Sequence, residues 1–183
     1  MNTYTNQLWS SNSEKQQPVS LLNYYANSAF VIELTDTQAY QSVVLNANCP
    51  TVLLLYFGGC ADCAANVLNY NEFARQARTQ MPSLKVAAIN CQNPANVQAC
   101  AENGVTKNTF QGPTILFYPA RSTSAQAAWK LAAGANEEYK RTPGKMWQFV
   151  NANLARMRTA GSNAHNTWNN RNQFLYGPSG RKK

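Results

Sequence analysis

The stretch Thr51-Val52-Leu53-Leu54-Leu55-Tyr56-Phe57-Gly58-Gly59-Cys60-Ala61-Asp62-Cys63 decides the fold. Thr51 to Phe57 is an apolar run of strand length without polar alternation, the pattern of a strand covered on both faces. Two glycines then lead into a pair of cysteines one helical turn apart, where a buried strand would meet a helix start. A thiol at a helix N-terminus faces unpaired amides and the positive end of the macrodipole, which together favour the thiolate. Cys60 is therefore the candidate attacking sulfur, and Cys63, one turn on and more covered, the candidate resolving sulfur that closes an intramolecular disulfide. Taken alone, the motif also admits half a zinc site or a chance pair.

Outward from that junction, strand and helix patterns alternate. Val31-Ile32-Glu33-Leu34-Thr35-Asp36 followed by Ala39, Tyr40, Val43 and Val44 predicts a short strand and an amphipathic helix capped by Asp36. The CxxC helix continues through Val67, Leu68, Tyr70, Phe73 and Ala77, breaks at Met81-Pro82-Ser83, and is followed by a strand over Leu84–Ile89. Gly112-Pro113-Thr114 introduces a further strand, Ile115-Leu116-Phe117-Tyr118, which Pro119 ends. Such alternation implies a parallel sheet.

Over roughly residues 29–156 the chain resembles the thioredoxin fold, in particular the domains of protein disulfide isomerases and quiescin-type sulfhydryl oxidases. The likeness is carried by "VIELTD", by "TVLLLYF" before the cysteine pair, by the "GPT" at Gly112-Pro113-Thr114, and by a second pair, Cys91 and Cys100. The resemblance implies an α/β fold with a mixed central sheet flanked by helices. It implies a cis-proline at Pro113 which, with Gly112 and Thr114, grips an extended peptide, and a structural disulfide between Cys91 and Cys100. It also implies a thiol-disulfide oxidoreductase that needs no cofactor and meets client proteins through mixed disulfides. Four departures stand beside the likeness. Gly59 replaces the usual aromatic before the nucleophile, which leaves Cys60 less shielded, and Leu54 stands where the family has a buried proton-relaying carboxylate. Asp62 puts a negative charge between the sulfurs, which disfavours a thiolate. The approach from Val105 to Gly112 is longer than usual, which reshapes the substrate groove.

The fifth cysteine, Cys49, precedes Pro50 and reads as a small buried hydrophobe. A zinc site would need four ligands, and the only histidine, His165, lies far along a polar tail; four cysteines remain, but Cys91 and Cys100, nine apart, lack the second close knuckle that zinc ribbons use beside Cys60 and Cys63, so no metal is expected. No motif places a histidine near Cys60 for a cysteine protease, and there is no phosphate loop or dinucleotide fingerprint. Residues Met1 to Trp9 lack the basic start and apolar stretch of a secretory signal, which favours the cytosol or a particle assembled there. A persistent disulfide points instead to an oxidising setting, and both readings stay open. No apolar run approaches the roughly 18 residues of a membrane span.

Charge divides the chain. From Tyr139 onward there are nine Lys or Arg and no acidic residue, whereas residues 1–138 carry seven basic and eight acidic groups, so the net +8 is C-terminal. Three parts are expected: a polar N-terminal extension (1–28), a thioredoxin-like domain (29–157) and a basic Asn/Gly-rich strap (158–183). Thr142 and Pro143 read as cap and first turn of a final helix whose apolar side is Met146, Trp147, Phe149, Val150 and Leu154. Beyond Arg158 the strap, with Trp168, Phe174, Leu175 and Tyr176 among polar residues, cannot form a core of its own. Basic charge with scattered aromatics suits docking on an acidic neighbour, nucleic acid being the less favoured partner. Two functions follow: a thiol-disulfide oxidoreductase, or a structural subunit of a large assembly, a virion capsid shell or ribonucleoprotein, held by residues 1–28 and 158–183.

Overall fold

The structure is a computed structural model that describes residues 22–131 and 141–175, with side chains through Thr159. The docking role expected of the two ends falls largely on residues 1–21, 176–183 and the side chains after Thr159, which lie outside the described residues.

Five strands form one sheet in the order β1 (Ile32–Leu34), β3 (Lys85–Asn90), β2 (Thr51–Tyr56), β4 (Thr114–Tyr118), β5 (Trp129–Lys130). All six residues of β2 are buried, as its continuous apolar run requires. The parallel sheet implied by strand–helix alternation is found only for β1, β3 and β2, whereas β4 runs antiparallel to β2 and β5 antiparallel to β4. The connection after β3 carries one short helix, α3 (Val97–Glu102), and brings the chain back into the sheet at the end where it left: Asn90, the last residue of β3, lies opposite Tyr56, and Thr114, the first of β4, lies opposite Leu55.

Alternate residues of the strands face two helical layers. Val52, Leu54 and Tyr56 pack with Tyr70, Phe73, Ala74 and Ala77 of α2 (Ala61–Gln80) and with Met146 and Val150 of α4 (Pro143–Leu175). Leu53 and Leu55 pack on the other face with Tyr40 and Val44, from α1 (Thr37–Tyr40) and its π-helical continuation Gln41–Leu45, and with Ala99 and Cys100 of α3. Asp36 caps α1 as expected, accepting a hydrogen bond from Ala39 N at 2.7 Å. The Tyr70 hydroxyl, fully buried, donates to the carbonyls of Val52 and Ala87 at 3.2 and 2.8 Å. Between α2 and α4, Phe73 meets Trp147 edge-on at 5.3 Å, and Trp147 Nε1 donates to Gln76 Oε1 at 2.9 Å.

Three details differ from the sequence reading. Tyr25, assigned to the N-terminal extension, is 1% exposed and belongs to the α2-side core. The final helix, expected to end near Arg158, continues to Leu175; no proline interrupts the chain between Pro143 and Pro178. Cys49 is half-buried rather than core, because it sits in the turn that enters β2, outside both apolar clusters.

Cys91 and Cys100 form a disulfide, with Cα atoms 5.8 Å apart and nine residues of sequence separation. It joins the end of β3 to α3 within the α1/α3 layer. Closing a loop of this size constrains the unfolded chain by about 2–3 kcal/mol on the chain-entropy account. A Cys91→Ala/Cys100→Ala double variant is expected to lose that much stability in urea unfolding; an unchanged midpoint would show that the bond contributes nothing.

Candidate redox site

Cys60 is the N-cap of α2, in an extended conformation, and its Sγ accepts a hydrogen bond from the Cys63 amide at 3.2 Å. This is the Ser/Asp capping geometry with sulfur as acceptor: one orphan amide of the first turn points at the thiol. Cys60 is half-buried and Cys63 is 2% exposed, and both are free thiols. Burial pushes the Cys63 thiol well above its usual range, the Cys60 sulfur adds to that, and the Phe57 backbone and the Arg141 guanidinium pull the other way. Asp62, next to Cys63 and two residues from Cys60, is exposed, where solvent screens its charge.

The two glycines before Cys60 have a tertiary reason. A Cβ on Gly58 would stand 2.9 Å from Gln92 Oε1 and 3.0 Å from the Leu22 carbonyl, and Gly59 has φ +80°, a region costly for residues with a side chain. The segment Leu22–Tyr25 closes off the side of Gly58, whereas a side chain at Gly59 would meet nothing within 4 Å. Asn90 ties this segment down: its Nδ2 donates to Leu22 O and Asn23 Oδ1, while its Oδ1 accepts from Gly58 N at 3.2 Å. The Tyr24 hydroxyl accepts from Gly59 N at 3.0 Å.

Leu54 is buried at the position where the resemblance implies a carboxylate, but a carboxylate lies two strands away in the same row of the sheet. Glu33 pairs with Ala88, and Ala88 pairs with Leu54. Glu33 accepts hydrogen bonds from the Tyr56 hydroxyl at 2.9 Å and from Tyr25 N at 3.2 Å, and Tyr56 Oη in turn accepts from Tyr24 N at 3.1 Å. Burial raises the Glu33 carboxyl to about 7, against the pull of those hydrogen bonds. Neither Glu33 nor the Tyr24-Tyr25 pair was singled out as functional from the sequence; two adjacent tyrosines in a polar stretch were the available signal.

The Gly112-Pro113-Thr114 loop leads into β4, where Thr114 pairs with Leu55 near the end of β2. Here the cis-proline implied by the resemblance is not found: every peptide bond among the described residues is trans. Gly112, at φ +140°, makes the turn into β4, and Pro113 and Thr114 are buried. The long approach folds as a tight turn over Thr106–Thr109, with Thr109 N donating to Thr106 O at 3.1 Å, and Phe110 tucks against Phe57 at 4.5 Å. Arg141 connects loop and cysteines. It is 8% exposed, its Nη2 would lie 3.2 Å from a Cβ on Gly112, and its charge reaches Cys63. Nothing local marks this arginine, which precedes α4 and is far from both motifs in sequence. The second cysteine pair is not part of the site: Cys91 and Cys100 belong to the core cluster on the opposite sheet face from Cys63.

Structural comparison finds the J-Trx1 fragment of ERdj5 at TM-score 0.54 and 18% identity, covering 71% of this chain and 52% of that one. It also finds the Trx4 domain of ERdj5 at TM-score 0.51 and 20% identity, covering 68% of this chain and 96% of that one. The fold is the thioredoxin fold. Sequence comparison finds sulfhydryl oxidase 1 of Rattus norvegicus, 25% identical over 115 residues, and sulfhydryl oxidase 1 of Cavia porcellus, 25% identical over 118. These alignments cover 63% and 64% of this chain but only 15% and 18% of the relatives' length. No protein-family model matches the chain. Within the thioredoxin fold, then, the sulfurs stand at the end of the central strand, and no described helix is long and apolar enough to cross a membrane.

The Glu33 carboxyl carries a signed consequence. Its folded-state value of about 7 lies above the ordinary 4.5, so the folded protein holds a proton that the unfolded chain has already released. Stability therefore falls as pH rises from about 4.5 to about 7 and levels above that. The tyrosines facing it, Tyr25 and Tyr56, are pushed upward chiefly by burial and stay neutral over this window. Glu33→Gln is expected to flatten this part of the pH–stability profile, removing a loss of order 2 kcal/mol after allowance for partial solvation. An unaltered slope in urea titrations across that range would contradict the assignment.

Proposed function

We propose that the protein is a thiol-disulfide oxidoreductase acting on protein thiols or disulfides through Cys60 and Cys63. The observation that carries this reading is the capping hydrogen bond from Cys63 N to Cys60 Sγ, which directs an unpaired backbone amide at the more accessible sulfur while its partner lies buried one turn behind. The likeness of the chain to proteins named sulfhydryl oxidase supports the same chemical class.

The exchange runs as follows. The Cys60 thiolate attacks one sulfur of a substrate disulfide; a Cys60–substrate disulfide forms, and the other substrate sulfur leaves as a thiolate that takes up a proton. Cys63, once deprotonated, attacks the Cys60 sulfur, releases the second substrate thiolate and leaves a Cys60–Cys63 disulfide. Two electrons pass from the protein's dithiol to the substrate, and the reverse sequence oxidises a substrate dithiol. Because burial holds the Cys63 thiol protonated, its deprotonation gates the second step, and the Arg141 guanidinium lowers that cost. Gly112, Pro113 and Thr114 present the peptide: the loop flanks Arg141 and opens onto the surface beside it.

A Cys63→Ser variant is expected to accumulate mixed disulfides with client proteins, visible as bands that collapse on reduction, whereas Cys60→Ser is expected to form none. Equal trapping by the two variants, or none by Cys63→Ser after incubation with disulfide-bonded client, would overturn the assignment of attacking and resolving sulfur.

A further inference from the structure

The buried face of α2 turns Cys63, Asn66, Tyr70, Phe73, Ala74 and Ala77 inward. Asn66 is the polar exception among these apolar and aromatic neighbours. It is 3% exposed, and neither its Nδ2 nor its Oδ1 has a hydrogen-bond partner among the described residues. An amide left unpaired in a core is destabilising, and native proteins hold few of them. Residues three apart on a helix are neighbours on one face, and helical side chains lean toward the preceding turn, which for Asn66 is the turn that holds Cys63. A second unpaired group stands in the same layer. The Tyr25 hydroxyl is buried without a partner among the described residues, while its ring meets Tyr56 and Tyr70 at 5.6 and 5.5 Å and belongs to the core cluster of Cys63. Burial pushes this phenol upward, and the charges of Glu33 and Cys63 add to the effect, so the Cys63 sulfur lies within its electrostatic reach. The Cys60 sulfur, the Phe57 backbone and the Arg141 guanidinium also bear on Cys63.

We propose that Asn66 is the hydrogen-bond donor that receives the Cys63 thiolate during the resolving step, with the Tyr25 hydroxyl as a second donor to the same sulfur. The inference rests on the thiol-disulfide reading and adds to it the groups that make a buried sulfur usable. In the dithiol, Cys63 keeps its proton, and both side chains are unpaired. Resolution begins when that proton passes to a buffer base and leaves an anion in the core. The Asn66 N–H and the Tyr25 O–H then stabilise the charge where solvent cannot. The thiolate attacks the Cys60 sulfur, the Cys60–substrate bond breaks, and the charge departs on the substrate thiolate as the Cys60–Cys63 bond closes. Donors engaged only while charge is present on the sulfur lower the barrier to this step, whereas a bond made equally to the thiol would not.

The test follows a single turnover of the full-length protein in its dithiol form with a chromogenic aryl disulfide, in a Cys49→Ser background that removes the third free thiol. Attack by Cys60 releases the first aryl thiolate and leaves a mixed disulfide; attack by Cys63 releases the second, so the two steps are read as two phases. Asn66→Leu is expected to leave the first phase unchanged and to slow the second about tenfold, the effect of one hydrogen bond to a charged group, with the pH midpoint of the second phase moving upward. The same variant is expected to unfold at a higher urea concentration than the parent, because leucine fills the site without an unpaired polar group; rate and stability then move in opposite directions. Asn66→Asp keeps the shape without the N–H donor and is expected to slow the second phase at least as much. Tyr25→Phe removes only the unpaired oxygen and is expected to slow that phase more mildly. A second phase with unaltered rate and pH midpoint in Asn66→Leu would overturn the role of Asn66, and the same result in Tyr25→Phe would overturn that of the hydroxyl. Loss of stability in Asn66→Leu with equal slowing of both phases would assign Asn66 to the fold alone. Absence of the first phase in the parent, or its persistence in Cys60→Ser, would instead overturn the redox reading beneath the proposal.

Discussion

The structure hangs on the passage from β2 into α2. β2 is paired along both edges, with β3 and with β4, and packed in an apolar cluster on each face, so its end is placed rigidly in the middle of the sheet. The helix that follows begins five residues later at Ala61, and an amide of its first turn, that of Cys63, points at the Cys60 sulfur. The site thus inherits its precision from the most constrained segment of the molecule. Nothing in the loops around it needs to be rigid for the two sulfurs to keep their spacing, because one turn of α2 sets it.

Around that junction the protein has exchanged parts relative to the expectation drawn from family resemblance. An aromatic before the nucleophile would shield it; here Gly59 leaves that side open, and the segment Leu22–Tyr25, pinned by Asn90 and the Tyr24 hydroxyl, packs against Gly58. A carboxylate at position 54 would sit beneath the cysteines; here Leu54 packs as core, and the acid, Glu33, stands in the same sheet row on β1, within a chain of tyrosine hydroxyls and amides that reaches Gly59. A polar group that is displaced but still buried must be hydrogen-bonded, and the tyrosine pair supplies the partners.

The two cysteine pairs divide the sheet between them. Cys63 lies on the α2/α4 face and the Cys91–Cys100 disulfide on the α1/α3 face, so the sheet itself separates the reactive thiols from the bonded ones. Arg141 does the opposite: it arrives from the far end of the chain to pack against the Gly112 turn, and its positive charge favours the Cys63 thiolate.

The sequence by itself determined what short-range pattern dictates. The apolar run Thr51–Phe57, the cap at Asp36, the break at Met81-Pro82 and the cysteine spacing each act within a few residues, and each was legible for that reason. The end of the final helix and the direction of β4 were not, since the first depends on the absence of a stop signal and the second on where a 23-residue connection, mostly outside regular helix, brings the chain back to the sheet. Only the tertiary structure decided that Gly58 is required by Leu22, that Glu33 is buried against Tyr56, and that Arg141 lies beside Gly112. These are contacts between residues tens of positions apart, and no local periodicity encodes a partner across the sheet.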